Sequence, residues 1–223
     1  MITRIYYWLH RLASKPQERG RPSAGYWQDK VRQEALILCQ GIKGRLLEVG
    51  CGEGLFLEQL TRQNPELEIW GIDNNNERLN QAEQRIKGAN LKNIRLLFQD
   101  ATSLSFADEY FDTVICINVL LSLDSLDLVR QVLGQMKQVC RKSGKIIFEF
   151  RNSLNPLLVV KYRLARYYDE TVKNLNLPLR CYGPKQIESI LKDLNLKVKR
   201  KIPLGLSIFK RFAPIIILEV ERE

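Results

Sequence analysis

The chain has 223 residues, 45% of them hydrophobic and 27% charged, with a formal net charge of +10 at pH 7. That length suits one α/β domain with a well-buried core plus appendages, and the composition is ordinary for a soluble globular protein. No apolar run approaches the roughly 18 residues of a membrane span; the longest, 113–121 and 214–220, read as buried strands. The N-terminus has no compact apolar core with a small-residue cleavage site, so no secretory signal is expected. Cys39, Cys51, Cys116, Cys140 and Cys181 form no C-x-x-C pair, which argues for free thiols in a reducing cytoplasm rather than a disulfide or zinc framework. His10 is the one histidine, and no metal site is expected.

The charge is unevenly spread. Residues 1–44 carry eight Lys/Arg against three Asp/Glu, and residues 151–211 carry fourteen against four. Residues 45–150 reverse this, with twelve basic against fifteen acidic. The excess is either a solvated basic face or a field that draws in an anionic substrate, lipid headgroups or nucleic acid.

In chain order, Ile5, Trp8, Leu9 and Leu12 fall at helical spacing with Arg4 and Arg11 elsewhere. The pattern predicts a short amphipathic helix that packs on the body, covers the active site or touches a membrane surface. Residues 14–25 read as a loop and 26–40 as a helix closed by Gly41 and Gly44, completing an N-terminal helical arm over 1–44. A strand is expected at 45–49 and a helix at 55–62, stopped by Asn64-Pro65. The second strand, 67–72, ends at Asp73. Asn74 with Glu77 resembles a helix N-cap, followed by the buried stripe Leu79, Ala82 and Ile86. Strands follow at 94–98, 111–117 and 145–150, with a helix at 126–139 closing at Ser143-Gly144. Alternating strands and helices mean parallel βαβ units, whose ligands sit at the carboxyl ends of the strands. Asn155-Pro156 starts a further helix to about Tyr168, so 151–182 reads as a helical cap inserted over the strand ends. A helix from Gly183-Pro184 and strands at 196–202 and 213–221 complete the chain.

The chemistry centres on Leu47-Glu48-Val49-Gly50-Cys51-Gly52-Glu53-Gly54. A strand, a glycine turn and a helix make a nucleotide-type site, because glycines take positive φ and admit a ligand close to the backbone. The spacing is not the G-x-G-x-x-G of a diphosphate carrier. Glu48 and Glu53 would repel a pyrophosphate by roughly 4 kcal/mol per close pair at an effective dielectric of about 20. The same charge suits S-adenosyl-L-methionine, which carries a sulfonium, an ammonium and a ribose but no phosphate.

These residues resemble the first motif of class I, Rossmann-like S-adenosylmethionine-dependent methyltransferases. Gly71-Ile72-Asp73 resembles the second-strand acidic motif, and Gln99-Asp100-Ala101 with Phe111-Asp112-Thr113-Val114 resembles the segment around strand four. The likeness implies a three-layer α/β fold whose sheet is mostly parallel with one antiparallel strand near an edge, spanning 45–223. It also implies roles. Gly50, Cys51, Gly52 and Gly54 would pass under the methionine part of the cofactor, and Glu48 would help to hold its ammonium. Asp73 would accept the ribose hydroxyls, Asn74 would lie beside the adenine, and Asp100 with Ala101 would read the adenine edge. Asn118 would meet the cofactor from the end of strand four. Plainer alternatives stand beside these: Asp73 as a helix cap, Asp100 as a turn residue, Asn118 as a strand end, and Cys51 as a small filler rather than a nucleophile.

Asn118-Val119-Leu120-Leu121 lacks the Asn/Asp-Pro-Pro-aromatic motif of members that methylate exocyclic or amide nitrogens, and no Pro-Cys pair marks a cytosine-C5 enzyme. The cap would carry substrate choice, with Leu157, Leu158, Val160 and Leu164 as an apolar side and Arg151, Tyr162 and Arg166 as polar contacts. Tyr26 and Trp27 would line the opposite wall, unless they simply pack. The reading is methyl transfer to a small, anionic or lipid-like metabolite. An RNA methyltransferase, favoured by the basic patches, and a non-catalytic cofactor-binding regulator are the alternatives. Oligomeric state and acceptor atom leave no mark in the sequence.

Overall fold

The computed structural model describes residues 25–174, 178–205 and 207–222. The amphipathic segment around Ile5, Trp8, Leu9 and Leu12, with His10, lies outside the described residues. Seven strands form one sheet: β1 (Arg45–Val49), β2 (Glu68–Asp73), β3 (Ile94–Phe98), β4 (Phe111–Cys116), β5 (Cys140–Arg151), β6 (Leu196–Leu204) and β7 (Ile215–Arg222). Their spatial order is β3-β2-β1-β4-β5-β7-β6. The first five are mutually parallel, and β7 runs antiparallel to both β5 and β6. The central strands are apolar on both sides because helices cover both faces of the sheet.

Three helices lie on one face: α1 (Tyr26–Leu38), α2 (Leu55–Gln63) and α3 (Asn76–Gly88). Val31, Ala35, Phe56, Leu60 and Leu79 pack there on Leu46 and Ile115. The other face is covered by α4 (Leu126–Val139) and α7 (Pro184–Asp193), whose Val132, Met136, Ile187 and Ile190 pack on Leu47, Val114 and Phe148. Leu46 and Leu47 thus feed opposite cores, as the period of two in a strand requires. Between β5 and α7 the chain forms α5 (Pro156–Tyr168) and the short α6 (Glu170–Asn174). No helix among the described residues is long and apolar enough to cross a membrane.

Two local expectations change. The cap of α3 is Asn75 rather than Asn74: its side chain accepts the Arg78 N–H at 3.0 Å, which frees Asn74 to face the strand end. Ser143-Gly144 does not close α4, since β5 already begins at Cys140. Gly144 fits there because a Cβ would press on Cys140 and on the Asp112 carbonyl. The pairing of β4 with β5 shifts register between Phe111 and Thr113, absorbing the irregular start.

Candidate active site

β1 ends in a turn built on three left-handed glycines, Gly50 (φ 76°), Gly52 (φ 51°) and Gly54 (φ 73°). The Gly50 and Cys51 amides both donate to the Ile72 carbonyl at 2.8 Å, tying the turn to β2. Asp73, the last residue of β2, accepts the Gly52 N–H on Oδ2 and the Asn75 N–H on Oδ1, each at 2.9 Å. It therefore orders the turn and starts α3 together. A Cβ on Gly50 would collide with Val119, so the loop after β4 lies directly against the turn, whereas the space beside Gly52 is open.

Glu48 is buried at 3% exposure, and its Oε2 has no hydrogen-bond partner among the described residues. Burial first, then the neighbouring Asp73 charge, pushes its carboxyl well above the usual range; Arg32 on α1 pulls the other way. Burial pushes the Cys51 thiol up as well, with Glu48 and Asp73 adding to the effect. A thiol held neutral in this way is a filler. At the end of β3, Asp100 accepts hydrogen bonds from the Thr102 hydroxyl and amide, and from Asn74 Nδ2 at 3.4 Å. Those bonds, the hydroxyl's above all, hold its carboxyl below the usual range. Glu48, Gly50, Cys51, Gly52, Gly54, Asp73, Asn74 and Asp100 thus form one continuous rim. Ala101 follows, half-buried against the α4-side core.

The far wall is built on Asn118, which sits just past β4 with a left-handed φ of 59°. Its N–H donates to Glu149 Oε1 at 2.9 Å, and its Oδ1 accepts Arg151 Nη2 at 2.8 Å. Glu149 and Arg151 are 0% and 2% exposed. Sequence reasoning missed Glu149. Its signal was a lone carboxylate inside the apolar run Ile146-Ile147-Phe148-Glu149-Phe150, where a buried charge needs a partner.

α5 meets this wall through Tyr162, whose hydroxyl interacts with Arg151. Arg166 instead bonds to Tyr167, at 2.8 Å from its hydroxyl. The expected apolar side of α5 divides: Leu158 and Ala165 are buried, while Leu157, Val160 and Leu164 face outward. Tyr26 and Trp27 meet edge to face at 5.1 Å; Trp27 packs on the α1-side core and Tyr26 is exposed.

An unpartnered buried carboxylate oxygen, an acid that ties the glycine turn to the start of α3, and open space beside Gly52 fit a cationic, hydroxyl-bearing nucleoside. They do not fit a diphosphate. The comparisons agree. A family model described as "Methyltransferase domain" matches residues 43–194. The chain is 31% identical over 106 residues to malonyl-[acyl-carrier protein] O-methyltransferase of Paenibacillus sp. (strain JDR-2), covering 47% of this chain and 37% of that one. It is 40% identical over 67 residues to tRNA (guanine-N(7)-)-methyltransferase of Streptococcus agalactiae, covering 30% of each. The matches span only 37% and 30% of these two relatives' lengths. Magnesium protoporphyrin IX methyltransferase of Synechocystis PCC 6803, solved with bound SAH, superposes with a TM-score of 0.69 at 17% identity, covering 99% of this chain and 95% of that one.

The fold and the acidic turn define a class I, Rossmann-like methyltransferase, whose cofactor is S-adenosyl-L-methionine. The chain belongs to the methyltransferase domain family.

Proposed function

We propose that this enzyme transfers a methyl group from S-adenosyl-L-methionine to a small acceptor of anionic or lipid-like character in the cytoplasm. The body is residues 45–223, with 1–44 as an arm and about 151–182 as the cap. The observation that carries the acceptor half is the cap's contact with the strand ends: α5 delivers Tyr162 to Arg151, which bonds to Asn118 beside the glycine turn. Five free thiols, four of them buried, support the reducing compartment.

When bound, the cofactor supplies a sulfonium methyl that an in-line nucleophile can take. Glu48 holds the ammonium end, Asp73 the ribose hydroxyls, and Asn74, Asp100 and Ala101 the adenine, in our reading. Gly50, Cys51, Gly52 and Gly54 let the backbone run beneath it. Asn118 separates cofactor from acceptor. Orientation in a dry pocket is the chain's main catalytic contribution, and effects of this kind reach about 7–11 kcal/mol in well-aligned systems.

A second reading, RNA methylation, is favoured by the similarity to the tRNA enzyme and the charge of +10. One assay separates them: release of S-adenosylhomocysteine with a panel of small carboxylic acids and phosphate esters, or with bulk tRNA. We expect turnover with the small acids. Asp73→Ala should weaken cofactor binding by at least about tenfold, equivalent to about 1.4 kcal/mol. Turnover with tRNA alone, or cofactor affinity untouched by Asp73→Ala, would overturn the reading.

A further inference from the structure

The wall beside Asn118 holds a buried guanidinium whose donors are not all taken up. Arg151 ends β5; its Nη2 donates to Asn118 Oδ1, and the guanidinium also bonds to the Tyr162 hydroxyl. Its Nε and Nη1 have no hydrogen-bond partner among the described residues. Its ion-pair partner, Glu149 Oε2, stands 3.8 Å from Nη1 and likewise has none. The other oxygen of Glu149 is engaged with the Asn118 N–H. α5 carries a second cation within range of its charge: Lys161 is exposed overall, yet burial first, and then the charge of Arg151, lower its ammonium's pKa, with Asp169 opposing. Burial also pushes the Tyr162 hydroxyl up, so it stays protonated, and its oxygen accepts from the Arg151 guanidinium.

Buried charges are ordinarily paired and hydrogen-bonded, and a guanidinium is the side chain best shaped to grip carboxylate or phosphate oxygens. Here its donors are left over beside a phenol and an ammonium. Resting on the methyltransferase reading and deepening it, we propose that Arg151, flanked by Lys161 and Tyr162, anchors an anionic group of the methyl acceptor, a carboxylate or a phosphate ester. The anchor adjoins the glycine turn through Asn118 and Val119, whose side chain fills the space a Cβ on Gly50 would need. A short acceptor held at Arg151 therefore reaches the cofactor side. Entry requires α5 to lift, and that helix buries only Leu158 and Ala165.

The test is calorimetry on the full chain saturated with S-adenosylhomocysteine, titrated with butyrate, butyl phosphate and the uncharged butyramide. One of the two anions should bind at least about tenfold tighter than butyramide, and the tighter one identifies carboxylate or phosphate. Lys161→Gln should reduce that preference several-fold. Because Arg151→Met alone leaves Glu149 buried without its cation, the double variant Glu149→Gln/Arg151→Met serves as the second probe, and it should lose the preference. Equal affinity for butyramide and both anions, or a preference that survives the double variant, refutes the anchor while leaving the methyltransferase reading intact. Failure of the wild type to bind S-adenosylhomocysteine overturns both.

Discussion

Glu48 carries the clearest physical signature of any single residue in the site. Its pKa lies above the unfolded value because burial penalises the charged form and Asp73 adds to the penalty. The folded state therefore binds this proton more tightly. The resulting stability is complete below the ordinary carboxyl value of 4.5 and is lost as pH rises through the folded value. Glu48→Gln should thus flatten the fall in urea midpoint between about pH 5 and about pH 8, while parallel curves for variant and wild type would show that Glu48 is ionised throughout. In the proposed cofactor site a cationic ligand beside Glu48 would favour the charged form, a use beyond folding for a carboxylate buried in β1. At this scale much of the glycine turn's geometry was legible in the sequence. Gly50 was readable from the alternate glycines after a strand, and the structure adds that Val119 leaves no room there for a Cβ; Asp73 was readable as the acid that ends the second strand. Glu149 was not, since its role depends on β5 lying beside β4, a pairing between residues 31 positions apart at Asn118 and Glu149.

The elements divide by what holds them. α4 buries five residues along one stripe and was readable from its 3–4 periodicity. α5 buries two of its 13 residues, so its apolar positions do not identify an inward face: Leu158 goes in, while Leu157 stays 80% exposed. The cap is held more by its start than by its packing. Asn155 accepts the Leu158 N–H at 2.7 Å and donates through Nδ2 to the Phe212 carbonyl at 2.6 Å, stapling α5 to the segment before β7. Asn-Pro in the sequence predicted the first bond and not the second, which is a contact across 57 positions. Asn155→Ala should cost about 1 kcal/mol of local stability, appearing as faster amide hydrogen exchange across 156–168 with β1 and β4 unchanged. Exchange accelerated equally in the sheet would mean that the cap and the core open as one unit.

For the whole molecule, the basic count overstates the field that a nucleic acid would meet. Residues 151–211 carry fourteen cations against four acids in sequence, but folding supplies acids from elsewhere. Lys199 meets Glu221 at 2.6 Å and Arg200 meets Glu219 at 3.6 Å, both partners lying on β7, outside that range. Lys201 pairs with Glu188 of α7, and Arg180 lies 3.5 Å from Asp124. Exposed pairs of this kind add little to stability, about 0–1 kcal/mol each, yet they cancel charge over the distances at which phosphates would be sensed. The edge strand β6 carries its lysines and arginines in the manner that discourages strand-to-strand association. A weak, easily screened attraction to RNA follows. The logarithm of the tRNA binding constant against the logarithm of salt should slope more gently than about −2, corresponding to about two or three phosphate contacts. A steep slope with binding retained near about 0.15 M salt would mean that the unpaired cations form a continuous track, and would move tRNA ahead of a small acid as the acceptor.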